Sequence, residues 1–280
     1  MKKALTNALL LCSLFYLVPS HAENSITEKH AEFLAKQKPA SDFMRKLNAL
    51  IGPFLSLPPA QQATTRQRTI EWHEAQKKVG IPSDYHIPVY KKSESGLHAW
   101  ALKGSLAAVD TNAMYVDEKA MSHSDYGSQR KAILHEAVHQ KYLDPLYLKA
   151  TVILCAIGSS LGVEVIKKPQ VLSTTQFNLL KTVIPCCLTY ALYEYLSPLI
   201  EYRADLEAAY LTQCSACIAS SASALRRSPV NFQDEYCSKG YLSAHELEEI
   251  AQEHARNGAL CEYHSLCARN KTVAFDIKPQ

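Results

Sequence analysis

Two long apolar stretches in the middle of this 280-residue chain limit what it can become. Residues 146–166 (LYLKATVILCAIGSSLGVEVI) and 177–200 (FNLLKTVIPCCLTYALYEYLSPLI) each supply about the 20 residues needed to cross a hydrocarbon core. Each also carries charge: Lys149 and Glu164 in the first, Lys181 and Glu194 in the second, which contains Pro185 and Pro198 as well. They read either as a transmembrane hairpin or as two buried helices of a soluble domain. In the hairpin, the bias of Lys and Arg towards cytoplasmic loops puts Lys167, Lys168 and Lys181 inside and both flanks outside.

The N-terminus agrees with that direction. Lys2 and Lys3 precede the apolar run ALLLCSLFYLV (8–18), and Pro19-Ser20-His21-Ala22 ends on a small residue. This is the pattern of a bacterial secretory signal with cleavage after Ala22, and the run is short for a membrane span. The chain is therefore expected to be exported, to the periplasm or to an inner-membrane location facing it. A hydrophobic fraction of 47% against 20% charged residues excludes a disordered chain. A net charge of +3 without long basic runs excludes nucleic acid as a partner.

Export changes the meaning of the nine cysteines. Cys155, Cys186 and Cys187 lie in the apolar stretches and read as small buried hydrophobes. Cys214, Cys217, Cys237, Cys261 and Cys267 crowd the last seventy residues, where an oxidising compartment favours disulfides over a second zinc at Cys214-x-x-Cys217. Around these features the pattern predicts four regions: the signal (1–22), a helical region (23–80), a core (81–219) holding both apolar stretches, and a Cys-rich tail (220–280). The helical region should contain helices over 25–38, 42–51 and 60–79, the last stopped by Gly80. The runs at 86–90, 98–104, 105–110 and 113–117 are β-leaning and predict a small antiparallel sheet. A helix should then open at Ser124 or Asp125 and stop before Asp144-Pro145. Another is expected from Glu201 to about Ala219, followed by a Ser/Ala/Arg linker. Ser243 and Glu246 form a capping box for a last helix ending near Gly258. Trp72 and Trp100 read as core anchors.

The chemistry sits on the first of these later helices, in AILHEAVHQKY (132–142). Residues four apart on a helix share a face, so His135 and His139 can aim both imidazoles at one point. Glu136 lies a step round the helix, placed to act as general base on a water at the metal. A catalytic zinc needs a third protein ligand. EYRADLEAAY (201–210) offers one, because Glu201 and Asp205 are again four apart; Glu201 completes a His₂Glu set, and Asp205 accepts from a ligating imidazole and fixes its tautomer. The alternative is that these acidic residues belong to a solvated helix face. His98, Tyr202 and Arg203 are candidates to stabilise an oxyanion. His245, His254 and His264 read as surface or loop histidines.

HEAVH, then two apolar segments, then EYRADLEAA, resembles the HtpX, Oma and CAAX prenyl protease family of zinc metallopeptidases, of the gluzincin type. The resemblance covers residues 80 to 212. It implies an α+β, mainly helical metallopeptidase fold and one zinc per chain held by His135, His139 and Glu201. It also implies catalysis by Glu136, support from Asp205, and an edge strand within 107–117 that pairs with an extended protein or peptide substrate. Ala208 or Ala209 stands where the family often has a small Gly-like residue, and the tail from Cys214 lies outside the family pattern. The expected function is a zinc-dependent endopeptidase acting on envelope or membrane-associated proteins. The rivals are a catalytically inactive relative acting as a chaperone or binding module, and a two-span structural protein in which HEAVH is incidental.

Overall fold

The computed structural model describes residues 26–56, 64–92, 106–164 and 173–258. The signal at 1–22, the run at 98–104 with His98 and Trp100, the pair Lys167 and Lys168, and His264, Cys261 and Cys267 lie outside them. Among the described residues the chain is mainly helical with one small sheet, an α+β arrangement. The first three helices among the described residues are α1 (Ile26–Ala35), α2 (Asp42–Leu55) and α3 (Arg66–Lys78). Ser41 and Thr65 cap α2 and α3 by accepting from the backbone three residues on, and Gly80, at φ +83°, turns the chain out of α3.

The sheet corrects the antiparallel expectation. Strands β1 (Val89–Lys91), β2 (Ala107–Val109) and β3 (Met114–Val116) run in the order β1-β3-β2, with β1 parallel and β2 antiparallel to β3. Only β2 and β3 are joined by a tight turn, closed by the Asp110 N–H donating to Ala113 O over 2.7 Å. Strand β2 lies on the far side of β3 from β1, so the chain crosses the sheet between β1 and β3, as a parallel pairing requires. Packed on the sheet, Trp72 is fully buried and donates its indole N–H to Ile87 O at 2.9 Å, beside Met114, Val116, Met121 and Val138.

Short helix α4 (Glu118–His123) leads into α5 (Tyr126–Tyr142), capped by Asp125. Helix α5 is buried nearly all round, the signature of a central helix. At its start Gly127 touches α8 (Ser215–Arg227) so closely that a Cβ would meet Cys217 Cα at 2.8 Å. Helix α6 (Asp144–Glu164) follows after a single left-handed residue, Leu143 at φ 57°. Helix α7 (Thr174–Thr212) then runs unbroken through Pro185 and Pro198, so the second apolar stretch and EYRAD form one 39-residue rod.

Beyond it the structure departs from expectation again. Helix α7 stops at Thr212, not near Ala219, with Gln213 left-handed and the Cys214 side chain accepting from Cys217 N to cap α8. The predicted Ser/Ala/Arg linker is the body of α8. Ile218, Ala222 and Leu225, spaced four and three apart, are buried, and Ile218 and Ala222 pack with Leu247, Ile250 and Ala251 of α10 (Ala244–Arg256). Small residues on that face let the two helices approach. Between them in sequence lies α9 (Val230–Ser238), none of whose residues is fully buried. The Ser243–Glu246 capping box opens α10 as expected. His254 is buried, not on the surface, with Nε2 3.2 Å from Ala209 O.

Helices α6 and α7 pack against each other and are long and apolar enough to cross a membrane. Their apolar side chains face outwards: Leu154 is 69% exposed and Leu179 64%. Cys186 and Cys187 are likewise exposed and Cys155 is half-buried, because among the described residues no protein layer covers these helices; that corrects their reading as buried thiols. Cys214 and Cys217 are buried and Cys237 is exposed.

Candidate metal and catalytic site

The site forms where α5, α6 and α7 meet. His135 and His139 project from one face of α5, and α7 crosses it to bring Glu201 between them. His135 Nε2 lies 3.0 Å from Glu201 Oε2 and 2.9 Å from His139 Nε2, while His139 Nε2 is 3.4 Å from Glu201 Oε2. These three atoms sit within 4.8 Å of one another and could hold a metal ion.

The outer nitrogens explain the orientation of the rings. His135 Nδ1 is 3.3 Å from Asp205 Oδ1, and His139 Nδ1 is 2.8 Å from Asp144 Oδ2. A carboxylate at Nδ1 holds the proton on that nitrogen and turns the lone pair at Nε2 inwards. Asp205 is also a junction. Its Oδ1 accepts from Lys131 Nζ at 2.5 Å on α5, and its Oδ2 from the Leu242 N–H at 3.0 Å ahead of α10. Asp144 accepts from Arg203 Nη2 as well, and that guanidinium lies 4.0 Å over the Tyr142 ring.

Electrostatics follow from these pairings. For Glu201 burial favours the neutral acid, but the imidazoles of His139 and His135 outweigh it and hold the carboxyl well below the usual range. Burial likewise opposes charge on His139, and Glu201 with Asp144 still lifts its pKa well above the ordinary value. Asp205 is held far down by Lys131 and His135 against the effect of its burial. Glu136 differs: burial dominates and pushes its carboxyl up. Its Oε2 accepts from the Val109 N–H at 2.7 Å, which ties the general-base candidate to strand β2.

The donor set suits a divalent cation. With Nδ1–H bound to a carboxylate on each ring, two Nε2 atoms 2.9 Å apart cannot both carry a proton. Ligands at 2.0–2.1 Å around a tetrahedral zinc lie about 3.3 Å from one another, within a few tenths of an ångström of the separations here.

The structure brings together His135, Glu136, His139, Glu201 and Asp205, and it adds two residues that the sequence reading did not. Asp144 looked like a helix stop, but the left-handed turn at Leu143 swings it back under His139. Tyr241 stacks on the His135 ring at 5.6 Å, with Glu201 among the charged groups around its hydroxyl. Burial keeps that phenol protonated far above its usual range. Gly240 makes this position reachable: at φ +91° it lies so close to α7 that a Cβ would meet Pro198 O at 1.9 Å. The Tyr241 contact arises from a chain crossing, and the Asp144 contact from a left-handed turn that the residue type Leu143 does not announce.

The oxyanion candidates move the other way. Arg203 is engaged by Asp144 and Tyr142, and the Tyr202 hydroxyl reaches Glu246 at 3.4 Å, away from the cluster. No family model matches the chain, and no curated protein or solved structure matches it.

Proposed function

We propose that this protein is a zinc-dependent endopeptidase of the bacterial envelope, of the HtpX, Oma and CAAX prenyl protease type, acting on envelope or membrane-associated proteins. The observation that carries the reading is the convergence of His135 Nε2, His139 Nε2 and Glu201 Oε2 beside Glu136. One zinc per chain would be held by those three residues. When bound, it would acidify a water molecule and polarise the scissile carbonyl. Glu136 takes the proton from the attacking water and hands it to the leaving amine. Tyr241, whose hydroxyl stays protonated beside Glu201, is the candidate donor to a developing oxyanion in this reading.

The substrate is proposed to lie along β2. Among the described residues β2 pairs with β3 alone. By the two-residue alternation of an antiparallel ladder, Ala107 and Val109 turn their backbone groups away from β3, as the Val109 N–H shows by reaching Glu136. An extended chain added there gains main-chain hydrogen bonds with little demand on its side chains. The site faces the periplasm in this reading, supported by the secretory pattern at residues 1–22 and the lysines between the two apolar stretches.

The test is zinc per chain for the parent, His135→Ala and Glu201→Gln, together with cleavage of casein. One zinc, weakened or lost in both variants, supports the reading. Metal-replete protein without zinc overturns it, and zinc without any cleavage favours the inactive binding module.

A further inference from the structure

Helix α2 is built inside out. Its buried residues are Arg45, Asn48 and Gly52, at spacings of three and four on one face. On the opposite face Phe43, Leu50 and Phe54 stand 72%, 70% and 87% exposed, with Leu47 between them. The spacing 43, 47, 50, 54 is a single apolar stripe at helical period, directed away from the protein. A soluble protein places such a stripe against its core, so an outward stripe marks a surface that meets something apolar.

The polar face explains why the helix cannot simply roll over. Asn48 Nδ2 donates to Thr111 O at 2.7 Å, Thr111 Oγ1 donates to Gly52 O at 2.9 Å, and Arg45 Nη2 donates to Lys141 O at 3.0 Å. These bonds join α2 to the β2–β3 turn and to the end of the helix that carries His135 and His139. At its other end, Leu55 O accepts from Lys149 Nζ at 2.6 Å. Lys149 lies in the second turn of α6, level with the point where Tyr147 and then Ile153 and Leu154 begin the outward apolar surface.

We infer that α2 is an interfacial helix, its Phe43–Leu47–Leu50–Phe54 stripe set into the lipid bilayer at the headgroup–acyl boundary. The inference rests on α6 and α7 crossing the bilayer, and it adds a third, surface-lying element to that hairpin. The occupant is lipid because the stripe continues the belt of α6 at the height where that helix enters. Stripes of this kind bury their apolar face about 5–10 Å into the boundary. Since α2 holds both the β2–β3 turn and the end of α5, seating it on the membrane sets the candidate site immediately above the bilayer surface. Substrate segments within reach would then be those emerging from the same membrane.

Single tryptophans test this in the full chain reconstituted into phosphatidylcholine nanodiscs, read as the difference from the parent with its own Trp72 and Trp100. Phe54→Trp on α2, Ile157→Trp on α6 and exposed Ala35→Trp on α1 are compared in lipids brominated either near the headgroup or near the chain end. The inference predicts that the Phe54→Trp emission shifts to the blue and loses most of its intensity to shallow bromines. Ile157→Trp should be quenched more by deep bromines, and Ala35→Trp by neither. If Ile157→Trp is quenched while Phe54→Trp is not, the hairpin stands and the inference falls, because another segment of the chain or a second copy covers the stripe. If Ile157→Trp is not quenched either, the membrane reading itself fails and takes the inference with it.

Discussion

The two halves of α7 behave as if they belonged to different proteins. Up to Ile200 its apolar side chains point outwards, and among them only Pro185 is buried. After Glu201 the same helix buries Asp205 and Glu207 together with Ala204, Leu206, Ala208 and Ala209. Charge is buried where partners are waiting: Lys131 and the Leu242 N–H for Asp205, and the Tyr142 hydroxyl at 2.8 Å with Lys141 for Glu207. Apolar groups are exposed where the surroundings themselves are proposed to be apolar. Burial along one helix is thus set by its neighbours, not by its own residues.

The sharpest way to break this contrast is at the chemistry. Glu136→Gln should lower peptide cleavage by about 10²–10⁴-fold while leaving zinc per chain unchanged, since it removes the proton carrier and none of the ligands. A Glu136→Gln protein that still cleaves casein would remove Glu136 from that role. Next comes the buried half of α7. Asp205→Ala strands Lys131 and should cost about 3–5 kcal/mol in denaturant unfolding. The pH dependence has a definite sign. Because the folded carboxyl of Asp205 lies below its ordinary value of 3.8, its contribution is complete above that value and disappears as pH falls through the lower folded one. The stability gap between parent and Asp205→Ala should therefore close only in strong acid.

Leu206 and Leu154 make the comparison a matched one. Leu206 is fully buried and Leu154 is 69% exposed. In detergent solution Leu206→Ala should cost about 2–5 kcal/mol, and Leu154→Ala no more than about 0.5 kcal/mol. Equal costs would mean that the hairpin is covered by protein after all. Between these two in size, Asp144→Asn should weaken zinc binding about 10–100-fold in a chelator competition by loosening the His139 ring, with little change in fold. An unchanged affinity would leave Asp144 as merely a partner for Arg203.

Much of this arrangement is legible before any coordinates. His135 and His139 share a face because they are four apart, and Glu201 and Asp205 do so for the same reason. The apolar stretches announce two helices with an unusual environment, and Ser243 with Glu246 announces a helix start. What misled were places where distant packing decides. The Ser/Ala/Arg run is helical because α10 supplies an apolar face for it, and the sheet is mixed because the chain passes to the far side of β3 before returning.

Local spacing therefore determined which residues could act together on one helix, since 3.6 residues per turn needs no partner to operate. It did not determine that α5 and α7 would cross at Glu201, that Leu143 would fold Asp144 beneath His139, or that Gly240 would press on Pro198 and lay Tyr241 over His135. Nor did it say that α2 would turn its polar face inwards. Apart from the five-residue turn that joins Asp144 to His139, these depend on what a side chain meets across the fold, from groups as much as 106 residues away in the case of Tyr241 and His135 (241 minus 135), and such partners exist only once the helices have packed.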